Sequence, residues 1–115
     1  MSKYAFVYRA PVEYEGVSQG EQGAWQRFLE GLGANLIDAG NPVFTRGSVG
    51  NCGAETVLGG YSIVSADDLP AAMALARACP TLAAGGGVEV GEMTVLSELS
   101  TVTTADDHAR ATQAR

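Results

Sequence analysis

The chain has 115 residues, of which 46% are hydrophobic and 17% charged, and a formal net charge of -6. That length suits a single domain with a small buried core, in an ordinary globular composition. Seven Lys and Arg against thirteen Asp and Glu leave no clustered positive charge, which argues against nucleic acid and against anionic membranes as partners.

No apolar run approaches a membrane span. The opening residues, MSKYAFVYRAPVEYEG, lack a long apolar segment and a small-residue cleavage site, so no secretory signal is expected and the protein is placed in the cytoplasm. Cys52 and Cys79 match no metal-ligand spacing. They read as free thiols in a reducing compartment, with a disulfide or redox pair as the alternative.

Residues 3–10, KYAFVYRA, are aromatic and β-branched and predict a strand. Its faces read Tyr4, Phe6, Tyr8 and Ala5, Val7, Arg9. Both are largely apolar, whereas a strand with one wet face alternates more cleanly. Each side is therefore expected to be covered.

A loop follows. Ser18 and Glu21 have capping-box spacing. Trp25, Phe28, Leu29, Leu32 and Leu36 then form one stripe of an amphipathic helix. Gly23, Gly31 and Gly33 weaken it by about 1 kcal/mol each relative to Ala, and they could allow close approach to a sheet. Gly40 in a left-handed conformation and Pro42 are expected to end this helix.

Residues 42–46 predict a short strand and residues 47–55, GSVGNCGAE, a Gly-rich connection. Residues 56–65, TVLGGYSIVS, predict a second clear strand in which Gly59 and Gly60 mark a bulge or a close backbone approach. Pro70 is cheap only where its missing amide hydrogen has no partner. Asp67 as N-cap puts Pro70 at the third helical position and Asp68 in the first turn, where the helix dipole favours negative charge. Leu69, Ala72, Met73, Ala76 and Cys79 are the expected buried stripe, and Pro80 stops the helix. Residues 81–87 read as a turn and residues 88–99 as a last strand broken near Gly91. Residues 1–99 form the domain. The polar tail 100–115 has no apolar periodicity and is expected to be disordered or loosely helical.

The order strand, helix, strand, strand, helix, strand predicts an α+β, ferredoxin-like βαββαβ fold: an antiparallel four-stranded sheet with two helices on one face. The other face remains apolar. A second copy is its simplest cover, giving a homodimer whose sheets stack in a dimeric α/β barrel.

The stretch LGGYSIVSADDLPAAMALARACP followed by GGGVEV resembles the YCII-related domain family, and KYAFVYRA and the LIDAGNP corner fit the same pattern. The resemblance covers residues 3–96. The family is similar to the dimeric α/β barrel group that includes muconolactone isomerase-like proteins, which implies a homodimer with a pocket between sheet and helices. Two family features are missing. The position of a histidine found early in the first helix of many relatives falls at Trp25, and the Asp-Gly-Pro-Phe motif of another branch is replaced by SVGNCGAETV. The resemblance carries the fold over, but not the family's proposed histidine-based catalysis.

Several residues bear chemistry. Asp67 and Asp68 could be a carboxylate pair for acid–base work, but a helix start explains both. Tyr8 and Arg9, at the end of the first strand, could bind a carboxylate or an enolate, against a core-edge phenol and a surface guanidinium. Tyr61 and Trp25 are packing residues or parts of a substrate-binding wall; indole donates a hydrogen bond and shuttles no proton. Cys52 has no visible activating base, and Cys79 reads as a small buried hydrophobe. No cofactor is expected, since the glycines form neither a P-loop nor a GxGxxG turn. No metal is expected either: the sole histidine, His108, stands in the polar tail beside Asp106 and Asp107. The residues favour a homodimeric small-molecule-binding or accessory protein. The alternative is an isomerase or lyase acting on a small lactone-like or carbonyl compound, with Tyr8, Arg9, Trp25 and Tyr61 binding it and Asp67 or Asp68 as base.

Overall fold

Alternation decides which residues of the first strand the fold buries. In the computed structural model, which describes residues 1–14 and 19–97, β1 (Ser2–Pro11) sinks Tyr4, Phe6, Tyr8 and Ala10 and leaves the intervening side chains half-buried or exposed. This strand is central. It pairs antiparallel with β3 (Thr56–Ala66) on one side and with β4 (Gly87–Glu92) on the other, and β3 in turn carries the short β2 (Leu36–Asp38). The spatial order β2-β3-β1-β4 is the ferredoxin-like arrangement.

The helices are α1 (Gln19–Leu32), α2 (Leu69–Ala76) and the single-turn α3 (Pro80–Ala83). They pack on the face that carries Tyr4, Phe6, Tyr8 and Val64. Phe28 and Leu32 of α1, Ala72 and Ala76 of α2, and Cys79 complete that core. Burying these side chains contributes roughly 25 cal/mol per Å² of apolar surface removed from water. The opposite face carries Ala5 and Val7 of β1 and Tyr61 and Ile63 of β3, paired as Ala5 with Ile63 and Val7 with Tyr61.

Several boundaries differ from those the sequence suggests. α1 stops at Leu32, not near Gly40. Gly33 takes a left-handed φ of 54° and opens a 3₁₀ turn, Gly33–Asn35. Leu36 therefore begins a strand while still packing on the core side, because a single apolar residue fits either period. Gly31 makes no close approach to the sheet: a Cβ there would meet nothing within 4 Å. The strand expected at 42–46 reduces to one bridge, Pro42 to Gly60, plus the bond from Val43 N–H to Gly59 O. Proline brings no N–H to a ladder. Gly40 is left-handed at φ 70°, but it turns the chain after β2, with its N–H donated to Asp38 Oδ1 at 2.8 Å.

The α2 cap is Asp68, not Asp67. Its Oδ1 accepts from Ala71 N–H at 2.9 Å, and Pro70 sits one position nearer the start than expected, where its missing N–H is equally harmless. Of the expected stripe, Ala72, Ala76 and Cys79 are buried, whereas Leu69 and Met73 stay over 40% exposed; the helix meets the sheet through its small residues. α2 ends at Ala76, short of the stop expected at Pro80; Pro80 instead starts α3 at its first position, where proline is favoured, so residues 80–83 are helical and not part of a turn. β4 ends at Glu92, opposite Tyr4; a last bond, Met93 N–H to Lys3 O, closes the pairing. The Gly59–Gly60 expectation holds. Tyr8 faces Gly60 and Arg9 faces Leu58, so Gly59 is the extra residue of a bulge. Ser18 of the capping box and the 100–115 tail with its His108 lie outside the described residues.

These assignments predict distinct stabilities in urea unfolding. Asp68→Ala loses about 1 kcal/mol with its cap, while Asp67→Ala changes stability by less than about 0.5 kcal/mol. Gly31→Ala gains up to about 1 kcal/mol. An equal loss for both aspartates would contradict the cap assignment.

Candidate functional site

Where the bulge bends β3, the end of the sheet opens a cavity of about 750 Å³ between β1, α1 and the corner at residues 39–44. Each wall has a local cause. β1 supplies Tyr8 because alternation points it to the helix side. α1 supplies Trp25 and Leu29 because they lie on its apolar stripe. β3 supplies Ser62, which shares the inward face with Gly60 and Val64.

The polar centre is a short hydrogen-bond chain. Tyr8 Oη donates to Ser62 Oγ at 2.8 Å, and Ser62 Oγ donates to the Ala39 carbonyl at 2.7 Å. Ser62 is fully buried, so its hydroxyl would be costly without these partners. The rings of Tyr8 and Trp25 meet edge to face, with centroids 4.7 Å apart. Phe28 contacts both in the same geometry, an arrangement that ring quadrupoles favour.

The electrostatics follow burial. Burial pushes the Tyr8 phenol up to about 12; the Ser62 hydroxyl opposes the rise and Cys79 adds to it. Burial likewise pushes the Cys79 thiol up to about 11, partly offset by the backbone hydrogen bond from Thr81. Tyr14, also on the wall, is raised by burial and then by the charge of Glu21. Glu21 is the carboxylate lining the cavity among the described residues.

All four substrate-binding candidates, Tyr8, Arg9, Trp25 and Tyr61, line this cavity, but they do not converge in the same way. Arg9 and Tyr61 occupy strand positions of the opposite parity to Tyr8 and Ser62. The Arg9 guanidinium is turned away to Thr56 and the Gly-rich loop: Nε donates to Thr56 Oγ1 at 3.2 Å, and the terminal nitrogen to Thr56 O at 3.1 Å and Cys52 O at 3.3 Å. The Tyr61 ring stays 39% exposed and packs against Gly40, where any Cβ would collide with the Tyr61 carbonyl.

Asp67 and Asp68 stand apart from the cavity. Both are exposed at the start of α2, past the end of β3 at Ala66, which is itself about 13 Å along the strand from Ser62 at 3.3 Å per residue, and neither lines the cavity. Cys52 is exposed and Cys79 buried, and both are unbridged. Among the described residues no three of His, Cys, Asp and Glu gather as a metal site, and no helix is long and apolar enough to cross a membrane.

Sequence reasoning passed over Ser62, Glu21 and Tyr14. Ser62 carried a usable signal, since it is a polar residue at the inward parity of an otherwise apolar strand. Glu21 reads from the sequence only as part of a helix cap, and nothing local marks Tyr14.

The YCII-related domain model matches residues 7–95, most of the chain, and this protein belongs to that family. Comparisons with curated proteins and with solved structures return no significant match.

The phenol shift has a definite sign. A tyrosine whose folded pKa is raised adds stability that is complete below the unfolded value near 10 and lost as pH climbs toward 12; the Cys79 contribution is lost from about 9 to 11. The urea midpoint should therefore fall through this window, and less steeply in Tyr8→Phe. In ¹³C-tyrosine NMR, the resonance lost in Tyr8→Phe should titrate near 12; a midpoint at the ordinary value would refute the buried phenol.

Proposed function

We propose that this YCII-related domain protein is a homodimeric small-molecule-binding or accessory protein that works without histidine-based catalysis. Its ligand is a small organic molecule held in the cavity beside Tyr8. The observation that carries this reading is the cavity, whose volume of about 750 Å³ falls within the roughly 300–1,000 Å³ of ligand pockets. Aromatic and aliphatic side chains line it, with a few polar groups among them. A general acid or base works best with a pKa near the working pH, and burial moves Tyr8 the other way. Asp67 and Asp68 are too distant to serve the cavity. The two free thiols suit a reducing, cytoplasmic setting.

The dimer is motivated by the sheet face that the helices leave alone. Ala5, Val7, Tyr61 and Ile63 make an apolar patch there. A second sheet stacked about 10 Å away would cover it and close the barrel arrangement known for related folds. A second reading, an isomerase or lyase on a small lactone-like or carbonyl compound, is favoured by one observation: Glu21 lies on the cavity wall and would replace Asp67 and Asp68 as the base. In that case Glu21→Gln abolishes turnover and leaves ligand binding intact.

The main reading makes two checkable statements. Sedimentation at micromolar concentration should give the mass of two chains, and Ile63→Glu should give the mass of one; a wild-type mass of one chain contradicts the dimer. A thermal-shift screen of lactones, enols and related small molecules should find at least one that raises the melting temperature with concentration. Failure of every compound would remove the small-molecule site.

A further inference from the structure

Two features of the cavity wall restrict what can bind there. The first is the polarity of the hydrogen-bond chain. The Ala39 carbonyl has no hydrogen to give, so the contact at 2.7 Å uses the single hydroxyl hydrogen of Ser62. Ser62 Oγ can then only accept from Tyr8, and the 2.8 Å contact uses the hydrogen of the phenol. With both hydrogens committed, Tyr8 Oη has only lone pairs left. A phenol pushed up to about 12 stays neutral at physiological pH, so those lone pairs are those of an uncharged acceptor.

The second feature is the placement of charge. Arg9 is the cation among the described lining residues, and its guanidinium is drawn to Thr56 and Cys52 on the opposite side of the sheet. The carboxylate of Glu21 is on the wall, and its charge is felt at Tyr14. A ligand anion entering here would lose its hydration without gaining a counter-charge. The rest of the wall is uncharged: the apolar Trp25, Leu29, Pro42 and Phe44 stand among the neutral polar side chains of Gln22, Gln26, Asn41 and Thr81.

We propose that the cavity selects an uncharged, predominantly apolar molecule bearing one hydroxyl or N–H group, which donates a hydrogen bond to Tyr8 Oη, and that it rejects the corresponding carboxylate. This rests on the cavity being a small-molecule site, and it names the chemical class of the ligand.

Calorimetric titration of the full chain with three probes of one shape tests it: 2-naphthol, which can donate; 2-acetylnaphthalene, which can only accept; and 2-naphthoate, which is charged. The expected order is naphthol, then acetylnaphthalene, with naphthoate weakest. The advantage of naphthol over acetylnaphthalene should be about three- to tenfold, as one hydrogen bond allows, and should vanish in Tyr8→Phe. Ser62→Ala frees the phenol hydrogen, so acetylnaphthalene should gain on naphthol in that variant. Should one variant fold poorly, the wild-type order and the other variant decide the matter. Naphthoate binding as tightly as naphthol would overturn the selection against charge. Equal binding of naphthol and acetylnaphthalene to the wild type would overturn the assigned polarity. Both results leave the small-molecule site standing, whereas no binding of any probe overturns the site as well.

Discussion

A buried hydroxyl must find partners, and in this fold that requirement falls on Ser62. It lies on the inward face of β3, fully shielded from water, diagonal to Tyr8 across the β1–β3 ladder. Its two hydrogen bonds join three separate pieces of chain: the end of β1, the middle of β3, and the corner after β2. Leaving such a group unpaired costs about 1–3 kcal/mol, a large share of a small domain's stability. The corner is therefore tied to the sheet by a specific bond, although it is joined to the ladder by little more than the Pro42–Gly60 bridge.

From that tie the cavity follows. The bulge at Gly59 interrupts β3, the corner lies along the edge of β3 through Pro42 and Val43, and Trp25 and Leu29 of α1 form the facing wall. The same burial that holds Ser62 raises the Tyr8 phenol and keeps it neutral. Structure and chemistry are thus linked through one residue pair: the group that anchors the corner also fixes the direction in which the phenol can hydrogen-bond.

Much of the fold was legible in the sequence because period and chemistry agree. KYAFVYRA alternates as β1 does, the Trp25–Phe28–Leu29–Leu32 stripe is the α1 contact face, and Gly59 is the bulge. What stayed hidden were choices between nearly equal local solutions. Leu36 satisfies a helical period and a strand equally. Asp67 and Asp68 are both good caps, and only the bond to Ala71 N–H separates them. Pro80 looks like a helix stop but begins the next helix, α2 having ended at Ala76. The site was legible by residue type, in that Tyr8, Arg9, Trp25 and Tyr61 all line the cavity, and alternation alone sets Arg9 on the face opposite Tyr8. Only the register shows that Ser62 comes within reach of the phenol.

The most direct test of the Ser62 tie is amide hydrogen exchange in Ser62→Ala compared with the wild type. Loss of the bond to Ala39 should speed exchange at the Gly40 and Val43 amides by at least about fivefold, given a bond of 1 kcal/mol or more, while the amides of Phe6 and Val64 in the central ladder stay protected. Unchanged protection at the corner would contradict the account, because the corner would then be held by something other than Ser62.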